Sequence, residues 1–153
     1  MTPGSALTLT LRAVGEVMQA AHDPWWVIAS AAVALHGVEL NDVADVDVLL
    51  SIGDARRLFS ALDIAPHPQA DHPQFRSDLL GTWMAAPLPV ELMAGFRYRT
   101  AHGWQAVRPQ TRLAVDVEGV SVFVPDRAEL SALLYGFGRP KDHVRAARLA
   151  ALA

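Results

Sequence analysis

The chain has 153 residues, 52% of them apolar and 19% charged, with no cysteine and a formal net charge of −3. Those values describe a globular rather than a disordered chain, long enough for one cored domain, and the absence of cysteine excludes a disulfide framework or a thiolate metal site. The mild acidity argues against a long nucleic acid as partner. The longest apolar tract, 25–35, is too short to span a bilayer, and residues 1–21 lack the apolar core of a secretory signal, so the expectation is a cytoplasmic protein with no membrane partner.

Leu7, Leu11, Val14, Val17, Met18 and Ala21 recur at three- and four-residue spacing, which predicts an amphipathic first helix weakened a little by Gly15. After Asp23-Pro24, residues 25–28 read as a short buried strand and 30–36 as a small-residue helix closed by Gly37. Residues 38–43 connect to a strand at 45–51, and 53–62 reads as a surface helix with Arg56 and Arg57 outward. Residues 67–73 form a proline-punctuated loop.

Strands are then expected at 75–80, 88–93, 105–108, 113–117 and 120–124, with Glu118-Gly119 as a hairpin turn between the last two. Phe96 and Tyr98 alternate with Arg97 and Arg99, so the two arginines share one face of a further strand. Asp126 followed by Glu129 has the form of an N-cap with a capping-box acid, opening a helix over 127–137. Gly138-Arg139-Pro140 breaks that helix, and a last one starts near Lys141. The expectation is a single α+β domain over 1–153: a mixed sheet flanked by helices, its core at about 25–124 and a helical C-terminal segment at about 126–152.

The residues that carry chemistry are Asp45 and Asp47. In a strand their side chains point the same way, with Cα atoms roughly 6–7 Å apart, while Val46 and Val48 point to the opposite face. Two like charges on an otherwise apolar strand repel each other and resist burial. A hard divalent cation with oxygen ligands relieves both problems. Glu91, in Pro89-Val90-Glu91-Leu92-Met93, presents a third acid between apolar neighbours.

A strand ending in Ile28-Ala29-Ser30, a helix behind it, an Asp45-Val46-Asp47 strand and a later Glu91 together resemble the minimal nucleotidyltransferases of the DNA polymerase β-like superfamily. Ala32-Val-Ala-Leu-His36-Gly37 and Arg139-Pro140-Lys141-Asp142-His143 are similar to phrases in the AbiEii-type toxin nucleotidyltransferases. The resemblance runs from about 25 to 149. It implies a nucleotidyltransferase-like fold and transfer of a nucleoside monophosphate from an NTP to a hydroxyl acceptor with Mg²⁺. Asp45, Asp47 and Glu91 would be metal ligands and catalytic groups, with Glu91 completing the second metal site or acting as the base; Ala29, Ser30 and Lys141 would hold the phosphates, and Asp142 would orient. It also raises a toxin with a cognate antitoxin as partner.

Several positions depart from the family. Ala29 stands where the turn usually has glycine, Asn41 and Val43 stand where an Arg and a Thr are usual, and Leu133-Leu134-Tyr135 lacks the usual Lys. Either the nucleotide is held otherwise, by Arg97 or Arg99, or the chain is a catalytically degenerate relative that binds a nucleotide or protein. His36 reads as a packed or capping residue, His67 and His72 as a weak zinc pair, and Trp25, Trp26, Trp83 and Trp104 as core or interface anchors.

Overall fold

A computed structural model describes residues 1–68 and 72–153; residues 69–71 of the expected proline loop lie outside the described residues. Helix α1 (Ala6–Val17) continues as a 3-10 turn (Met18–Ala20) and is followed by β1 (Trp26–Ile28), α2 (Ala29–Leu35), β2 (Val46–Leu50) and α3 (Ile52–Ala61). The chain then forms β3 (Phe75–Arg76), β4 (Leu79–Trp83), β5 (Val90–Ala94), β6 (Arg97–Thr100), β7 (Gly103–Ala106), β8 (Leu113–Val117) and β9 (Val120–Val124). Helices α4 (Arg127–Phe137) and α5 (Pro140–Ala150) close it. The class is the expected one, α+β with a mixed sheet flanked by helices.

The central sheet has the strand order β1-β2-β5-β4, with β2 and β5 parallel and both outer pairings antiparallel. Alternation along each strand divides the sheet into two faces. Val46, Val48, Leu50, Val90, Leu92 and Ala94 point into the main core, each 6% exposed or less. Ile28, Leu49 and Met93 point the other way, into a second apolar cluster with Phe96, Val107 and Phe137. Helix α1 lies close to β9: a Cβ on Gly15 would collide with the Val120 side chain. The glycine that costs helix propensity is therefore what lets helix and strand approach.

Local signals place most of the remaining elements. Ser51 caps α3 by accepting from the Asp54 N–H, and Asp126 caps α4 by accepting from the Glu129 N–H. Glu118 and Gly119 take φ of 50° and 88°, the left-handed pair of a tight hairpin turn. Gly138 ends α4 at φ 74°.

Other expectations are corrected. The strand expected at 75–80 is two strands in different sheets: β3 pairs β6, while β4 pairs β5. The break at Ser77-Asp78 is forced by the Asp78 side chain. It sits where a Cβ on Gly95 would be, and it binds Arg97 at 2.7 Å. The strands expected at 88–93 and 105–108 are shifted to Val90–Ala94 and Gly103–Ala106.

Arg57 is not simply outward: it pairs with Asp54, a carboxylate 1% exposed that also accepts from the N–H groups of His22 and Asp23. Glu129 does not close a capping box. Its carboxylate accepts from the Gln110 and Thr111 N–H groups and the Thr111 hydroxyl, and that hydroxyl oxygen accepts from the Asp126 N–H. Burial pushes the Glu129 carboxyl up, but these donors hold it below the usual range.

Candidate active site

The cleft lies against the sheet face that carries Asp47 and Glu91. It is about 760 Å³ and is lined by Ala29, Ser30, Asp45, Asp47, Glu91 and Lys141 among others, so all six residues expected at the site border one space. Register explains why. Asp47 of β2 pairs Glu91 of β5 in the parallel ladder and Ile28 of β1 in the antiparallel one. Residues paired across a ladder project to the same face, so the two carboxylates stand side by side with the β1–α2 turn next to them. Asp45 precedes β2 and shares that side.

Charge makes the cluster costly. The Asp47 carboxyl is pushed up to about 7, first by burial and then by Asp45 and Glu91, while Arg139 and Lys141 pull it down. Asp47 nonetheless keeps part of its surface open to the cleft. Hard oxygen donors and unbalanced negative charge are what a Mg²⁺ ion requires. Among the described residues no three such side chains stand close enough to hold an ion as placed. Glu91 Oε2 instead accepts from the Thr82 hydroxyl at 3.1 Å. The chemistry of the donor set fits the cation, and Asp45, Asp47 and Glu91 are the residues that would hold it.

Helix α2 begins at Ala29 with Ile28 as its N-cap residue and no side-chain cap, so Ser30 lies inside the first turn and does not cap it. Ser30 is 6% exposed and lines the cleft. Ala29 has φ 59°, the left-handed region, where an L residue pays roughly 1–2 kcal/mol. The backbone keeps a conformation natural to glycine even though the residue carries a methyl.

Arg139 is the group that sequence reasoning missed. It acts on Asp47 together with Lys141, borders the cleft, and lies 4.9 Å over the Phe75 ring. Asp142, fully buried, binds the Arg139 side chain through both oxygens at 2.6 and 3.0 Å and also accepts from the Arg139 N–H. Asp142 thus holds the Arg139 guanidinium in one orientation. The available signal was the Arg139-x-x-Asp142 spacing across a proline-started helix, which favours a bidentate pair. Arg145 also borders the cleft and pairs with Asp42 at 3.4 Å.

The alternative basic residues are elsewhere. Arg97 is bound by Asp78 and Arg99 lies 5.8 Å from the Trp104 ring; neither borders the cleft. His36 Nε2 meets the Pro125 carbonyl at 2.8 Å, a packing contact as expected. His72 Nδ1 accepts from the Gln74 and Phe75 N–H groups, and His67 Nε2 bonds the Thr82 hydroxyl. Trp25 is buried edge-on to Phe123, and Trp26 donates to the Thr111 carbonyl.

No protein-family model and no curated protein matches the chain. Solved structures do. A Thermotoga maritima protein, TM1012, provisionally assigned as a nucleotidyltransferase, superposes with a TM-score of 0.67 at 21% identity, covering 82% of this chain and 81% of its own. The lincosamide antibiotic adenylyltransferase LnuA, solved with lincomycin bound, is similar at a TM-score of 0.60 and 10% identity over 92% of this chain and 94% of its own. ANT(2")-Ia, solved with adenylyl-2"-tobramycin, reaches 0.56 at 12% identity over 94% and 86%. The chain has the nucleotidyltransferase fold.

Proposed function

We propose that the protein transfers a nucleoside monophosphate from an NTP to a hydroxyl acceptor, with Mg²⁺ as the required metal. The observation that carries this is the register of β2 against β5, which sets Asp47 beside Glu91, next to Asp45, in a cleft that also holds cations. Fold neighbours that include an adenylyltransferase support it. When bound, the metal would neutralise triphosphate charge and activate the α-phosphorus.

The chain's own residues do the rest. Asp45 and Asp47 would hold the metal, with Glu91 completing the set or taking the proton of the attacking hydroxyl. The β1–α2 turn at Ala29 and Ser30, with Lys141 and Arg139, would hold the phosphates. The acceptor oxygen forms a bond to the α-phosphorus, the bond from that phosphorus to the bridging oxygen breaks, and pyrophosphate leaves with the electron pair. Positioning and charge neutralisation carry most of such a reaction. The test is incorporation of labelled NMP over a panel of hydroxyl acceptors with Mg²⁺. Asp47→Asn should lower the rate about 1000-fold, the several kcal/mol expected of metal-ion charge stabilisation. Wild-type transfer that persists in EDTA, or is unchanged in Asp47→Asn, overturns the reading.

A second reading, a relative that binds nucleotide without turnover, is favoured by the methyl of Ala29 at a left-handed turn. Calorimetry showing Mg²⁺-dependent NTP binding with no transfer to any acceptor would select it. The AbiEii-like phrases at Ala32–Gly37 and Arg139–His143 motivate the finer proposal of a cytoplasmic toxin with a cognate antitoxin. Growth arrest on expression that Asp47→Asn relieves would support this proposal. No helix among the described residues is long and apolar enough to cross a membrane.

A further inference from the structure

The cleft does not end at the carboxylates. One pleat repeat further along the same sheet face, roughly 6–7 Å away, Leu80 of β4 pairs with Met93 of β5, directly beyond the Thr82–Glu91 pair. These two apolar side chains line the same space, as do Phe75 and Phe96, whose rings are stacked with centroids 5.7 Å apart. Met93 and Phe96 belong to the second apolar cluster, against which Leu80 and Phe75 also pack. Both Leu80 and Phe75 keep surface open to the cleft.

The strand order gives this apolar floor a side. The phosphate-holding turn at β1–α2 sits on the β1 side of Asp47, while Arg139, at the start of α5, lies over the Phe75 ring. Glu91 lies on the opposite side, toward β4. There its Oε2 accepts from Thr82, and the Thr82 oxygen lies 2.7 Å from His67 Nε2. A hydroxyl has one proton, so Thr82 donates to Glu91 and accepts from His67, whose Nε2 carries the hydrogen. That chain fixes one oxygen of Glu91 and leaves the other for a substrate. A molecule bringing its hydroxyl to Glu91 from this side rests its body on Leu80 and Met93, beside the Phe75 ring that Arg139 covers.

Charge narrows the body further. Beyond Asp45, Asp47 and Glu91, the carboxylates bordering the cleft among the described residues are Asp42 and Asp78. Each already has a guanidinium, Arg145 at 3.4 Å and Arg97 at 2.7 Å. A polycation would find no uncommitted carboxylate there, and its ammonium groups would be desolvated against apolar carbon.

We propose that the region over Leu80 and Met93 is the acceptor subsite, and that it takes a hydroxyl compound with an apolar, ring-sized body and no excess of positive charge. The proposal rests on the nucleotidyl-transfer reading above for which substrate occupies it. The experiment measures binding of 3-phenyl-1-propanol and of tobramycin to the full chain by saturation-transfer NMR, with Mg²⁺ and α,β-methylene-ATP present. Phenylpropanol should bind the wild type and weaken at least about tenfold in Leu80→Asp, with the α,β-methylene-ATP affinity unchanged. Leu80→Thr, a β-branched replacement suited to a strand, should weaken it less and guards against a folding defect in the first variant.

Preferential binding of tobramycin overturns the subsite. So does equal binding of phenylpropanol by all three proteins, or loss of the ATP analogue in Leu80→Asp, which would place the base on this floor. The two readings fail separately. Phenylpropanol binding as expected with no transfer to any alcohol removes the enzyme and keeps the pocket. Efficient transfer to tobramycin does the reverse.

Discussion

The two faces of the central sheet are made from the same strands and do opposite things. On one, Val46, Val48, Val90 and Leu92 are sealed under the helices at 2% exposure or less. On the other, one residue along in each strand, Asp47 and Glu91 meet across the β2–β5 ladder at the edge of a cleft. The first face is stable because every side chain is apolar and close-packed. The second is a place where burial and like charge oppose folding and await a counter-charge. The stability of the core face is what holds the carboxylates in register against their own repulsion.

Three substitutions sharpen that contrast. Leu92→Ala on the core face should cost about 3 kcal/mol by denaturant melting, since a side chain 2% exposed leaves a cavity behind. A loss under about 1 kcal/mol would show that the two faces are not distinct in packing. Asp47→Asn, one pleat away, should have the opposite sign in EDTA at pH 8. The folded carboxyl is pushed up to about 7, above its ordinary value near 3.9. Stability from this group is therefore fully present below about pH 4 and is lost as pH rises through 7. The full shift corresponds to about 4 kcal/mol, and water in the cleft screens it to roughly 2. The asparagine variant should gain that at pH 8, gain nothing at pH 4, and lose its advantage when Mg²⁺ is added; equal melting at both pH values would contradict the charge account.

Ala29→Gly should give the smallest change, a gain of about 0.5 kcal/mol. Relief of the left-handed strain is mostly offset by the extra freedom of glycine in the unfolded chain. A loss of stability would mean that the Ala29 methyl, which packs against the second apolar cluster, matters more than its backbone.

Much of the site was readable before the fold because its parts are local. Asp45-Val46-Asp47 declares a strand with both acids on one side, since alternation in a strand follows from backbone geometry alone. Asp126, Gly138 and the Glu118-Gly119 turn likewise act within a few residues of themselves. What was hidden depends on distant partners. The break at Ser77-Asp78 is decided by Gly95 and Arg97, and the true partners of Glu129 are Gln110 and Thr111 rather than its own helix N-terminus. Arg139 was hidden for a related reason. Its spacing from Asp142 marks a structural pair, and only the approach of α5 to β2 brings the guanidinium near Asp47.

By itself the sequence determined that Asp45 and Asp47 share a face, that Glu91 sits on an apolar strand, and that a strand turns into a helix at Ala29 and Ser30. These follow from dihedral preferences and hydrophobic period, which each residue carries wherever it is placed. The tertiary structure alone decided that β5 would lie parallel to β2 with Glu91 opposite Asp47, and that Leu80 and Met93 would extend the cleft with an apolar floor. Strand order and register are set by which surfaces bury each other best over the whole chain, a sum that no single segment contains.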